Sequence, residues 1–273
     1  MNKKFIYLLL TVLAIMGSCK PSAHEMALAE IEKTKQFIAN NQDSIALEII
    51  DSIHIKYRTD VDVRRLADTL RWDIEYRHAV TTLPQVDSAL ALLQERMPQL
   101  TKPFRFIKND EYQSVGSFEH YKLRTENNTG RCYLKPSVDE QGKFSITSNY
   151  IGKKADHTVV RISVDSVSVE TLVAPSSNIS QFVDVDTYHE IIVFDKELLN
   201  GIDAFIANNS ESRIKVSLVG DGQPYHYYLT PTEREILAQS YELAIALADL
   251  NRLTDQQLRL SQKIELLKIR LNK

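Results

Sequence analysis

Seven histidines, at 24, 54, 78, 120, 157, 189 and 226, are the residues best suited to move protons or hold a metal near neutral pH. Their spacing gives them no shared site. The chain has no HxH, HExxH or CxxC run, so the local geometry that zinc requires is missing. His189-Glu190 lacks the second histidine four residues on that a zincin helix needs. His120, between Glu119 and Tyr121 on an expected strand, should face away from both. Surface or rim positions are expected for the strand histidines. Serine chemistry is no better served, because no GxSxG elbow occurs. Gly116-Ser117-Phe118 comes nearest and reads as a strand bend. Asp184 and Asp186 would share one strand face and could meet calcium with Asp195, but nothing matches the EF-hand loop, and a wet strand face is expected. With eight glycines in all, no phosphate-cradling loop is present. The expectation is no catalytic residue, no metal and no cofactor.

Two further features could bind. Tyr225, Tyr227 and Tyr228 crowd one segment beside the turn Asp221-Gly222-Gln223-Pro224. Tyrosine offers flat apolar area with a polar tip, suited to sugars or peptides. Strand alternation puts Tyr225 and Tyr227 on one face and Tyr228 on the other, so one set should be core. Cys132, between Arg131 and Tyr133 in a strand-like run, is expected to be a small buried hydrophobe.

The other cysteine lies at position 19. Lys3 and Lys4 precede an apolar run from Phe5 to Met16, followed by Gly17, Ser18 and Cys19. The run is too short to span a bilayer, which takes roughly 20 residues, and suits a secretory leader. Met16-Gly17-Ser18-Cys19 resembles the lipobox of bacterial lipoproteins. That resemblance implies cleavage before Cys19, lipidation of Cys19 with chains such as palmitate, and anchoring to a membrane. Two or more chains make such anchoring durable. Lys20 and Pro21 follow where an Asp would signal inner-membrane retention, so the outer membrane, facing the periplasm, is the expected address. Asp43-Ser44-Ile45, Asp51-Ser52-Ile53, Asp68-Thr69-Leu70, Asp87-Ser88-Ala89 and Asp165-Ser166-Val167 resemble the O-glycosylation motif of exported Bacteroidota proteins.

The formal charge is −3, and loss of Lys3 and Lys4 with the leader makes it −5. With no basic block, a nucleic-acid partner is not expected. The 255 residues of 273 that follow the leader suffice for one large or two small domains.

The elements that must position these residues fall into three stretches after a lipidated tether over 19–24. Residues 25–102 read as a helical domain. One helix has Ile45, Ile49, Ile50 and Ile53 on its face, and another, from Val61 to about Val80, has Leu66, Leu70 and Ile74. A break is expected at Thr81-Thr82 before Leu83-Pro84, because proline disfavours helix in the residue before it. A third helix then runs from Pro84 to about Met97, ended by Pro98 and Pro103. The segment from Asp43 to Trp72 resembles one tetratricopeptide-type hairpin, too little for a repeat array. Residues 103–230 alternate apolar and polar with period two, as in Val160, Ile162 and Val164, or Ile214, Val216 and Leu218. Eight or nine strands of an antiparallel sandwich-like domain are expected. They include 104–108, 112–123, 131–138, 143–151, 167–173, 188–194 and 225–229, with an inserted helix over 196–208. Residues 231–273 form one long helix, roughly 60 Å at 1.5 Å per residue. Its heptad seam runs from Ile236 through Leu243, Leu253, Ile264 and Leu267 to Leu271, with Gln239 and Gln257 in it.

The fold class expected is therefore α+β: N-terminal helical hairpins, an antiparallel β-sandwich-like domain and a long coiled-coil-like C-terminal helix. The function expected is that of a non-enzymatic, lipid-anchored envelope protein of structural, assembly or binding type. Its partners would be the membrane, through Cys19, and a second copy or another protein along the 236–271 seam. One alternative is an envelope enzyme acting on glycan or peptide; another is a glycan- or small-ligand-binding lipoprotein.

Overall fold

The computed structural model describes residues 21–109, 111 and 114–272. The expected signal peptide and Cys19 lie outside the described residues. The chain is α+β, with N-terminal helices, two antiparallel sheets and a long C-terminal helix, as its patterning predicts. It divides into two compact units. One comprises the described residues up to Gln85 and those from Gln257 onward, the other Val86–Gln256.

The first unit holds α1 (Ala23–Ala39), α2 (Asp43–Lys56), and parts of α3 (Val61–Thr101) and α5 (Pro231–Leu271). Ser22 starts α1 with a reciprocal capping box: its hydroxyl accepts from the Glu25 amide at 3.2 Å, and its own amide donates to the Glu25 carboxylate at 2.7 Å. The core is Ala27, Ile31, Ala46, Ile50, Ile53, Val63, Ala67 and Ile74. This shifts the expected faces of α2 and α3. Ile45 and Leu66 stay 41% and 43% exposed, while the neighbouring Ala46 and Ala67 are buried. Small residues let neighbouring helices approach closely, so the contact centres on the alanines and the bulky aliphatics flank it. Trp72 lies under the Arg270 guanidinium, and Lys263 meets Glu75 at 3.0 Å, so α3 and α5 touch within this unit.

α3 is one continuous helix of 41 residues. The break expected before Pro84 does not occur, and Pro98 does not end the helix, which stops at Thr101 ahead of Pro103. Proline removes one backbone donor and crowds the preceding turn. Ala79, Val86 and Leu90 are buried on either side of Pro84, so packing holds the helix across the local penalty.

In the second unit, β1 (Phe104–Ile107), β2 (Ser117–His120), β3 (Tyr133–Asp139), β4 (Phe144–Gly152), β8 (Thr187–Phe194) and β7 (Ile179–Asp184) form one sheet in that order. The other has the order β10 (Tyr225–Tyr228), β9 (Lys215–Gly220), β5 (His157–Val164), β6 (Val167–Glu170). Alternation does what it should. Ile146, Ile192 and Phe194 from the first sheet and Val160, Ile162, Val216 and Leu218 from the second share one core. The core also takes in Ile202 and Ile206 of α4 (Ile202–Asn208) and Leu237, Leu243 and Leu247 of α5.

Several boundaries differ from the sequence reading. Of the strand expected over 112–123, the described residues from 114 on form strand only at Ser117–His120, and a 3-10 turn takes Tyr121–Leu123. The helix expected over 196–208 is Ile202–Asn208 alone, because Asn200 and Gly201 adopt left-handed backbone with φ of 48° and 87°. β7 is an edge strand whose residues are nearly all exposed, so it carries no alternation to read. It joins β8 through Val185-Asp186, both at positive φ, the backbone of a two-residue hairpin turn. Asp184 therefore closes β7 while Asp186 lies in the turn, and the shared strand face expected for them does not exist.

Candidate functional site

A serine, a histidine and a carboxylate do converge, across the sandwich. Ser148 of β4 and Glu190 of β8 point inward from one sheet and His157 of β5 enters from the other. The Ser148 hydroxyl lies 3.0 Å from His157 Nε2, and His157 Nδ1 lies 2.5 Å from Glu190 Oε2. All three side chains are fully buried. The Glu190 carboxylate also accepts the backbone amides of Ala155 at 2.8 Å, Asp156 at 2.7 Å and His157 at 3.1 Å. Burial alone would raise its pKa. These hydrogen bonds, that from His157 foremost, overcome burial and hold it at about 2. With every partner satisfied and no path for a substrate, this network ties sheet to sheet.

Two strand histidines depart from the expected rim positions, while His189 and His226 remain at the surface. His157 is sealed, and His120 is buried edge-on against Phe104, where desolvation lowers its pKa. Among the described residues no group of three or more His, Cys, Asp or Glu is placed to hold a metal ion. Gly116, expected at a strand bend, lies against Phe106, whose ring a Cβ would meet at 2.2 Å.

The concave surface lies elsewhere, on the outer face of the six-stranded sheet and at the open edge of the other. Register builds its floor. Phe182, His189 and Ile151 form one cross-strand row over β7, β8 and β4; Ile191, Asn149 and Tyr133 form the next over β8, β4 and β3. Phe182 stacks flat on His189, with ring centroids 4.7 Å apart and planes 5° apart. Thr125, Asn128 and Arg131 complete a hollow of about 260 Å³. A second hollow, of about 420 Å³, is lined by Cys132, Tyr225, Tyr227, Tyr228, Thr230 and Glu233. Arg131 and Ile151 line both hollows.

Arg131 is held rigidly. Asn128 Oδ1 accepts from its Nε at 2.8 Å and its Nη2 at 2.6 Å, while Glu233 Oε1 accepts from Nη1 at 2.6 Å. Asn128 is itself fixed, donating to the carbonyls of Lys122 at 3.2 Å and Arg124 at 2.7 Å. Glu233 closes a capping box with Thr230 at the start of α5. A guanidinium has five N–H donors, and these bonds use three.

The tyrosines singled out in the sequence divide between two faces as strand alternation predicts, but neither set is core as expected: Tyr225 and Tyr228 are exposed and Tyr227 is half-buried. Tyr225 is 38% exposed, edge-on to Tyr150 and beside Tyr227. The Cys132 thiol and burial raise the Tyr225 phenol. Tyr227 has a buried hydroxyl without a partner among the described residues, and burial pushes its pKa well up. Tyr228 turns the other way, under the Arg213 guanidinium at 3.9 Å. Cys132 is only half-buried and forms part of the hollow's wall, not the core position expected of it. Asn128, Arg131, Phe182 and Glu233 escaped the sequence reading: Arg131 and Glu233 meet across 102 residues, Phe182 lies on an edge strand without alternation, and Asn128 bonds residues within six positions in a stretch with no period. The one local signal, Thr230 followed three residues later by Glu233, marks a helix start and not a ligand site.

Of the five Asp-Ser/Thr motifs, four lie within α2 or α3; Asp165-Ser166-Val167 alone lies outside a helix, at the exposed β5–β6 turn. No helix among the described residues is long and apolar enough to cross a membrane. Compared with known protein families and with curated proteins, the chain matches none.

Proposed function

We propose that this protein is an exported envelope lipoprotein, anchored by lipid on Cys19 to the outer membrane and facing the periplasm, that works by binding and not by catalysis. The observation that carries the binding role is the pair of hollows meeting at the clamped Arg131, with aromatic side chains on both sides. The non-enzymatic reading draws support from the sealed Ser148–His157–Glu190 network, which sets the three groups of a hydrolase where no substrate can reach them. The heptad seam is largely occupied within the chain: Ile236, Leu243, Leu253, Ile264 and Leu267 are buried. We therefore assign the long helix an internal, structural role and place recognition on the β sandwich.

Metabolic labelling with palmitate, followed by membrane fractionation, tests the anchor. Wild-type protein is expected to carry label and to sediment with the outer membrane, while Cys19→Ala carries none. Unlabelled, soluble wild-type protein would overturn the address. Titrating the full-length protein in detergent with a solubilised envelope fraction, followed by amide NMR, tests the binding role. Shifts should centre on Arg131, Ile151, Asn149 and Tyr225. An unchanged spectrum overturns it.

A further inference from the structure

We infer that the two hollows form one site for a neutral oligosaccharide, with one sugar ring in each hollow and the chain crossing Arg131. This rests on the binding role proposed above and names its ligand class. A pyranose ring has an apolar C–H face and a rim of hydroxyls that both donate and accept hydrogen bonds. It therefore needs a flat aromatic surface together with fixed planar polar groups.

Each hollow supplies both. In the first, the stacked Phe182–His189 pair offers the flat surface, with Phe182 48% exposed. Asn149 and the exposed Asp184 carboxylate, which has no partner among the described residues, stand beside it. In the second, Tyr225, 38% exposed, offers its ring, and the polar group is the Arg131 guanidinium that both hollows share. Between them, Arg131 keeps two N–H groups unused in a guanidinium locked by Asn128 and Glu233, so little side-chain entropy is lost on engaging a ligand.

Charge selects the class. Among the described residues, Arg131 is the only Lys or Arg that lines the hollows, and Glu233 already neutralises it. Asp184 adds a further negative charge. In the first hollow a phosphate, a uronate or an acidic peptide would meet the Asp184 charge, while neutral hydroxyls find both donors and acceptors. Two hollows on either side of one ridge call for at least two sugar units.

The test is calorimetry on the full-length protein in detergent, with cellohexaose, chitohexaose, mannohexaose and xylohexaose as neutral probes. Hexagalacturonate is the acidic probe and a mixed hexapeptide pool the third. At least one neutral hexaose is expected to bind, its disaccharide at least about tenfold more tightly than its monosaccharide. Arg131→Ala should weaken binding at least about tenfold. Phe182→Ala, at an exposed position that leaves the fold intact, should weaken it about three- to tenfold. Binding of hexagalacturonate or peptide alone, lost in the same variants, overturns the neutral-glycan assignment and leaves the binding role standing. Silence from every probe, with the envelope fraction still shifting the hollow amides, also overturns the glycan. Silence from both defeats the glycan and the binding role together.

Discussion

Glu190 shows how much one side chain depends on its surroundings. Its carboxylate is held at about 2 against an ordinary 4.5. A depressed pKa stabilises the fold fully above the unfolded value and loses that contribution as pH falls toward the folded one. Stability measured by urea unfolding should therefore decline between about pH 4.5 and pH 2, and Glu190→Gln should flatten that decline. At pH 7, Glu190→Gln is expected to cost about 3–5 kcal/mol, since it removes the buried charge and turns one of two accepting oxygens into a donor facing groups that donate. Ser148→Ala should cost about 1–3 kcal/mol, leaving one buried ring nitrogen unpaired. A larger loss from Ser148→Ala than from Glu190→Gln would contradict this assignment of roles. No spacing in the sequence announced the trio, because Ser148, His157 and Glu190 meet only when two sheets stack. Tyr225 and Tyr227 could be read beforehand, since strand alternation alone sets them on one face.

Elements show where local rules yield. Pro84 lies exposed inside α3, where proline is about 3 kcal/mol worse than alanine. Pro84→Ala should accordingly raise stability by about 1–3 kcal/mol in denaturant unfolding, with unchanged helical circular dichroism. A loss of stability would mean that the proline ring makes packing contacts that outweigh its backbone penalty. Gly142 behaves oppositely. It has φ of +84°, and a Cβ there would stand 2.4 Å from the Ala248 amide nitrogen and 2.6 Å from the Ala244 carbonyl of α5. Gly142→Ala should destabilise by about 1–3 kcal/mol or more, from both backbone strain and collision with a helix backbone that cannot step aside. Asp139-Glu140-Gln141-Gly142 carries a local turn signal, but nothing local marks the helix pressed against it. β7 illustrates the reverse failure, since an edge strand with two wet faces carries no period.

For the whole molecule, the seam of α5 decides the expected mass. Leu267 is 2% exposed within one chain. Light scattering of the full-length protein in detergent should thus give one protein chain per particle. Leu267→Asp should reduce stability by at least about 3 kcal/mol without changing that number, because it buries a charge where an aliphatic side chain was packed. A dimer that dissociates on this substitution would return the seam to a role between chains.

The succession of a helical, a β and a helical stretch, the antiparallel character of the strands and the long C-terminal helix follow from the sequence by itself. Each rests on a period of 2 or 3.6 residues that solvent imposes along a single segment. The resemblance to a lipidated leader likewise needs only neighbouring residues. Tertiary structure alone decided that His157 is sealed, that Cys132 borders a hollow, that α3 runs through Pro84, and that Arg131 stands clamped between Asn128 and Glu233. Arg131 and Glu233 are 102 residues apart in the chain, as Ser148 and Glu190 also lie on separate strands. Contacts of that range leave no periodic trace, because nothing in either segment's own pattern depends on the other until the chain has closed around both.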